Sequence, residues 1–246
     1  MTRTRTDGRK PGALRPLQFR RGYLGRAMGS VLASMGRTTV LCTCSVEPTV
    51  PAFLVGTGKG WLTAEYNMLP GSTSPRKTRD RSGKVDGRSV EIQRLIGRSL
   101  RAVVDLSKLG ERTLWLDCDV LEADGGTRTA SVNGACLALL DALLALRDQL
   151  PSPVSQIVQS SVAAVSVGLC DGVPLLDLNY EEDRDADVDL NLVMTGGGRV
   201  IEVQAGGEEA TFSFADLDRL LKLGKSGIEA ITRAQRSAFG KEWPLD

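Results

Sequence analysis

The stretch Asp124-Gly125-Gly126-Thr127-Arg128-Thr129-Ala130 has the composition of an anion-holding turn, set between a strand-like run ending near Leu121 and a helical run starting near Thr129. Glycines let a backbone close on an anion, the first amides of a helix have no partner inside it, and Thr127 and Arg128 add donors. A tight turn capped by Thr129 needs no arginine, so Gly126, Thr127 and Arg128 read as a phosphate site. Arg88, just before a helix starting near Ser89, is placed to face an anion in the same way. A second set of residues is acidic. Asp177, Glu181, Glu182, Asp183, Asp185, Asp187 and Asp189 fall within 13 residues, opposed only by Arg184. In an extended chain, positions 183, 185, 187 and 189 project to one side, with Ala186, Val188, Leu190, Leu192 and Met194 on the other. Carboxylates crowded in this way raise a pKa, as a general acid needs, or recruit a divalent cation.

What the 246 residues lack narrows the chemistry further. There is no histidine, which removes the usual general base and the commonest transition-metal ligand. Proton transfer falls to Asp, Glu, Lys, Tyr or Cys, and a metal would be a hard cation on oxygen. Glycine patterns elsewhere do not make a nucleotide loop: Gly56-Thr57-Gly58-Lys59-Gly60 lacks the Lys-Ser/Thr ending, and ahead of Gly224-Lys225-Ser226 the first glycine is replaced by Arg219. The five cysteines are odd in number and never form a CxxC pair, so they read as buried thiols of a reducing, cytoplasmic compartment. No run of 18 apolar residues occurs, and the arginine-rich start has no apolar run behind it; neither a membrane span nor a secretory signal is expected.

The balance of 31 Lys+Arg against 30 Asp+Glu hides segregation. Residues 1–37 carry nine basic side chains and one acid, Asp7, and Arg76–Arg101 holds nine more against Asp80, Asp86 and Glu91. Basic blocks apart from an acidic one suggest a polyanion partner beside an acidic chemical site. With aromatics at 4%, affinity for a nucleic acid would come from backbone phosphates rather than base stacking.

These residues need elements to position them. The β-branched alternation of Gly29–Met35 and Thr38–Val46 about Gly36-Arg37 predicts a hairpin. Helical spacing predicts helices over Ser89–Leu109, closed by Gly110, over Thr129–Leu150, stopped by Pro151, and over Phe214–Phe239, with Gly224 and Gly227 as an interruption. Between the first two helices, Thr113–Leu121 alternates, with Leu114, Leu116, Cys118 and Val120 on one face. Ser161–Leu169, Pro174–Tyr180, Val188–Thr195 and Arg199–Gln204 read as four antiparallel strands. The fold class is α+β, helices packed on a mixed, largely antiparallel sheet, and the length favours one domain over residues 1–246.

Taken in order, Gly60-Trp61-Leu62-Thr63-Ala64-Glu65-Tyr66, Gly87-Arg88-Ser89-Val90-Glu91-Ile92-Gln93-Arg94, Leu116-Asp117-Cys118-Asp119-Val120-Leu121, Ala123–Ser131 and Val193-Met194-Thr195 with Ile201-Glu202-Val203-Gln204 resemble the ribonuclease PH family over nearly the whole chain. The resemblance implies one domain similar to the second domain of a ribosomal protein, assembled as a hexameric ring of dimers. It implies a phosphorolytic 3′–5′ exoribonuclease: inorganic phosphate attacks the terminal phosphodiester of tRNA precursors and other RNA 3′ ends, releasing nucleoside diphosphates. It places phosphate binding on Arg88, Gly126, Thr127 and Arg128, the paired catalytic aspartates on Asp183 and Asp189, and tRNA contacts on Arg76 and Arg79. Leu69-Pro70-Gly71 departs from the pattern, since many members carry an arginine after Leu-Pro. Chemically, Asp183 suits the general acid, and Asp189, with Asp183 beside it, suits Mg²⁺ or Mn²⁺. A metal-dependent hydrolytic nuclease and a non-catalytic RNA-binding ring subunit are the alternatives.

Overall fold

In the computed structural model, which describes residues 5–79, 86–207 and 210–245, β1 (Leu17–Arg21) pairs antiparallel with β2 (Gly29–Met35), and β2 turns through Gly36-Arg37 into β3 (Thr38–Glu47). This is the hairpin that the alternation predicted. β4 (Trp61–Met68) leads to α1 (Gly87–Arg101) and then to β5 (Thr113–Glu122), which inserts between β3, antiparallel, and β4, parallel, to give the sheet order β1-β2-β3-β5-β4. The predicted face of β5 is the buried one: Leu114, Leu116, Cys118 and Val120 all lie in the core. Arg81 and Lys84 of the second basic block lie outside the described residues.

α1 stops at Arg101 rather than Leu109 although Val103 and Val104 stay buried. The chain leaves the helix to pair with a distant segment: Val104 bridges to Val158, Asp105 N–H donates to the Ile157 carbonyl, and Gln159 N–H to that of Val103. Apolar spacing marked what is buried; a tertiary pairing decided the backbone.

α2 (Thr127–Ala145) is buried almost all round and packs against β2, β3 and β5 on one side and β6 on the other. Its small residues, among them Ala130, Ser131, Gly134, Ala135 and Ala138, let both layers approach closely. The one amide in its middle is satisfied, Asn133 donating to the Ala164 carbonyl at 2.9 Å and accepting from Ala164 N–H at 2.7 Å. The helix ends at Ala145, followed by a short 3₁₀ turn, Arg147–Gln149, ahead of Pro151.

After α3 (Val154–Ile157) come β6 (Val162–Cys170), β7 (Val173–Leu176), α4 (Tyr180–Arg184), β8 (Val188–Thr195) and β9 (Val200–Gly207). The four strands form the antiparallel sheet β7-β6-β8-β9, so the four-strand reading holds, except that the second strand ends at Leu176 rather than Tyr180, which opens α4. α5 (Phe214–Phe239) runs unbroken, contrary to the interruption predicted at its glycines. There a Cβ would stand 2.8 Å from Leu192 at Gly224 and 2.8 Å from Leu176 at Gly227, so the glycines mark close helix–sheet contact. One apolar cluster runs through both sheets, α1, α2 and α5. All five cysteines are buried and none is in a disulfide, and no described helix is long and apolar enough to cross a membrane.

Candidate active site

Between the end of β5 and the start of α2, the chain must turn toward the second sheet, and Gly125 and Gly126 make that turn with φ of 73° and 64°. Both values lie where side chains are disfavoured, and a Cβ on Gly125 would sit 2.6 Å from the Asn179 carbonyl carbon. The carbonyls of the turn are tied down on the protein side. Thr38 Oγ1 donates to Gly125 O at 2.6 Å, Arg15 Nη1 to Asp124 O, and Thr129 Oγ1 to Gly126 O at 2.9 Å. Gly126, Thr127 and Arg128 then line a polar cavity of about 190 Å³, bordered by the first amides of α2, which have no partner within the helix. The Tyr66 hydroxyl donates to Thr127 Oγ1 at 2.8 Å, leaving the threonine proton for another acceptor.

Two guanidinium groups border this cavity. Arg88 enters from the start of α1, where Asp86 caps the helix by accepting from Arg88 N–H; its side chain is exposed and has no hydrogen-bond partner among the described residues. Arg128 spends Nη1 on Glu91 Oε1 at 3.2 Å and Gln204 Oε1 at 3.0 Å. That leaves Nε and Nη2 for an anion.

The acids arrive by two routes. Asp189 lies on β8 with Gly168 and Gly206 as its cross-strand neighbours, so no side chain crowds it, and Asn191 and Ser166, also paired across strands, line the same cavity. Asp183 is brought to the cavity by α4, a single turn held by a capping box in which Asn179 accepts from Glu182 N–H and Glu182 from Asn179 N–H. Residues 180–184 are therefore helical and not extended, which corrects the predicted one-sided row. Of 183, 185, 187 and 189, only Asp183 and Asp189 line the cavity; Asp185 pairs with Arg184 at 2.7 Å and Asp187 accepts from Asp171 N–H at 2.9 Å. The Asp183 carboxyl opens to solvent at the mouth but has protein around its other sides. This burial, with the Asp189 charge, raises its pKa, against the pull of Arg88, Arg128 and Arg15.

The basic N-terminal block, expected to meet a polyanion, is in part turned inward. Arg5 and Arg15 are 2% and 4% exposed. Arg15 holds the buried Asp177 carboxylate at 2.7 Å while gripping the turn at residues 124–126, and Arg5 holds buried Glu182 through 2.7 Å and 2.6 Å contacts. Sequence reading missed both pairs, since nothing in the local pattern separates a buried arginine from a solvated one. Arg76 and Arg79 are exposed and do not line this cavity; they follow Thr73, Ser74 and Pro75, which border an adjoining one.

A turn, two arginines and two aspartates thus converge on one small polar cavity. The model of the 3′ exoribonuclease family, domain 1, matches residues 13–145, and that of domain 2 matches residues 160–227. The chain belongs to the 3′ exoribonuclease family. Among its relatives are the ribonuclease PH of Rhodopirellula baltica, 57% identical over 94% of this chain and 96% of that one, and the ribonuclease PH of Bacillus subtilis, 52% identical over 98% of both. The fold is also that of rice Rrp46 (TM-score 0.76, 22% identity, covering 95% of this chain and 99% of that chain). It is shared by a chain of the Archaeoglobus fulgidus exosome with RNA bound to the active site (TM-score 0.78, 23% identity, 93% and 91%). The full-length match to ribonuclease PH relatives makes the chain a phosphorolytic 3′–5′ exoribonuclease, a nucleotidyltransferase with inorganic phosphate as substrate.

Proposed function

We propose that the 190 Å³ cavity holds orthophosphate for attack on the 3′-terminal phosphodiester of tRNA precursors. The observation that carries this is the convergence on one cavity of Arg88, Arg128 and the start of α2 with Asp183 and Asp189. Bringing one anion against another needs positive charge fixed in advance, which the two guanidinium groups and unpaired amides supply. Orthophosphate is already ionised near neutral pH, so the nucleophile needs no base. The departing ribose oxygen needs a proton, and Asp183, whose pKa burial and Asp189 raise, keeps one to higher pH than an ordinary carboxyl.

Among the described residues no group of three or more Asp, Glu, Cys or His side chains gathers as a ready-made metal cage. Asp189 and, once it has passed its proton to the ribose, Asp183 are carboxylates that, completed by substrate phosphate oxygens, nonetheless suit Mg²⁺ or Mn²⁺. When bound, the ion would neutralise charge on the scissile phosphate. Arg76 and Arg79 are assigned to the RNA backbone beyond the cavity, as their exposure permits. We read residues 1–246 as a single domain, supported by the continuous core, and the working form as a ring-shaped homohexamer, supported by the exposed apolar side chains Phe53, Val55 and Phe214. Five buried thiols support a cytoplasmic setting.

Incubating a 3′-extended tRNA transcript with and without phosphate tests the reading: nucleoside diphosphates should appear only with phosphate. Monophosphates released without it indicate hydrolysis, and binding without release indicates a non-catalytic subunit.

A further inference from the structure

The phosphate cavity is not closed. Arg88, Gly126, Thr127 and Asp183 also border a second cavity of about 340 Å³, whose remaining walls differ in kind: Met68, Pro75 and Tyr180 give it an apolar side. The size is that of a small-molecule ligand site, which starts at roughly 300 Å³. Through Thr73, Ser74 and Tyr180 it adjoins a still larger cavity of about 650 Å³, so a strand bound there has a way out.

Tyr180 is the first residue of α4 and Asp183 the fourth, a spacing that puts both on one face of the helical turn. The tyrosine is 56% exposed, and its ring stacks on no other ring among the described residues. Its backbone N–H donates to Asp124 Oδ1 at 3.3 Å, which ties it to the phosphate turn.

We infer that the Tyr180 ring is the stacking platform for the nucleoside that carries the departing O3′, the second from the RNA 3′ end. The inference rests on the phosphate reading given above. In an in-line displacement the attacking and leaving oxygens stand on opposite sides of phosphorus. With orthophosphate in the smaller cavity, the neighbouring one receives the leaving side, and Asp183, which borders both, meets the O3′ between them. An aromatic face accepts every base, as an enzyme removing nucleotides of any kind requires. The low aromatic content of the chain still excludes stacking along a strand, but one ring at this place is enough.

The full-length enzyme tests this in both reaction directions. Tyr180→Ala should raise the KM for RNA on the order of tenfold, the loss expected for one stacked base, with the KM for phosphate within about twofold and Tyr180→Phe close to the parent. In the reverse reaction the KM for the RNA primer should rise while that for the nucleoside diphosphate does not. A rise confined to the diphosphate would place the terminal nucleoside on the ring and overturn the assignment, as would unchanged constants or a change confined to phosphate. Failure of the phosphate reading looks different: the parent enzyme would release monophosphates without phosphate. Oligoribonucleotide binding followed by fluorescence anisotropy would then still register the ring, weaker in Tyr180→Ala and not in Tyr180→Phe if it stacks a base, equal in all three if it does not.

Discussion

A carboxyl that must give up a proton and a guanidinium that must hold an anion fail in different ways when replaced. Asp183→Asn keeps the shape and loses the proton, so turnover should vanish while RNA affinity, measured by filter binding or anisotropy, stays near that of the parent; undiminished phosphorolysis would remove Asp183 from the role of acid. Arg128→Ala should raise the KM for phosphate, because Nε and Nη2 are the atoms left free by Glu91 and Gln204. If only RNA affinity fell, the α2 turn would be gripping the substrate backbone instead. The Gly-Gly-Thr-Arg turn before a helix was a local signal in the sequence, whereas picking Asp183 and Asp189 out of the acidic run came from the resemblance to the ribonuclease PH family. Asp185 and Asp187 were misread because period-2 reasoning assumes a strand, and α4 rotates Asp183 away from them.

At the scale of elements, the α2 turn depends on a backbone that only glycine enters at low cost. Gly125→Ala meets both a left-handed φ and a 2.6 Å approach to the Asn179 backbone, which cannot move aside as a flexible side chain could. We expect a loss of about 1–3 kcal/mol, seen as a melting temperature lower by several degrees, together with weakened phosphate saturation. A parent-like melt and KM would mean that the turn tolerates a side chain. Strands and helices were largely legible because burial repeats at their own periods, as in β5 and α5. Their ends were less so: α1 stops early because Val104 finds Val158, a partner 54 positions away by number that no window of sequence contains.

On the scale of the whole molecule, two kinds of basic residue must be told apart. Exposed Arg76 and Arg79 should act through counterion release, so Arg76→Ala with Arg79→Ala should weaken RNA binding and flatten the dependence of log K on log salt by about 0.7 for each arginine removed; an unaltered slope would mean that neither side chain meets a phosphate. Buried Arg15 acts through the fold. Arg15→Met strips the buried Asp177 carboxylate of its guanidinium partner at 2.7 Å and leaves it Arg9 at 3.7 Å and the backbone N–H of position 15, at a cost approaching the roughly 3–5 kcal/mol of a broken buried pair, whereas Arg15→Met with Asp177→Leu should recover part of that loss in denaturant titrations. A double variant less stable than the single one would show that the pair is not the relevant unit. Charge counting alone could not sort these arginines, since their partners are more than 160 residues away along the chain.

That separation has a temporal side. The segment around Arg5 and Arg15 leaves the ribosome long before Asp177 and Glu182 are translated, and the turn at Asp124-Gly125 meets Asn179 and Tyr180 from the same late stretch. On the reading proposed above, a nascent chain shorter than this lacks a finished seat for phosphate, so activity should be gained only once the second sheet has emerged.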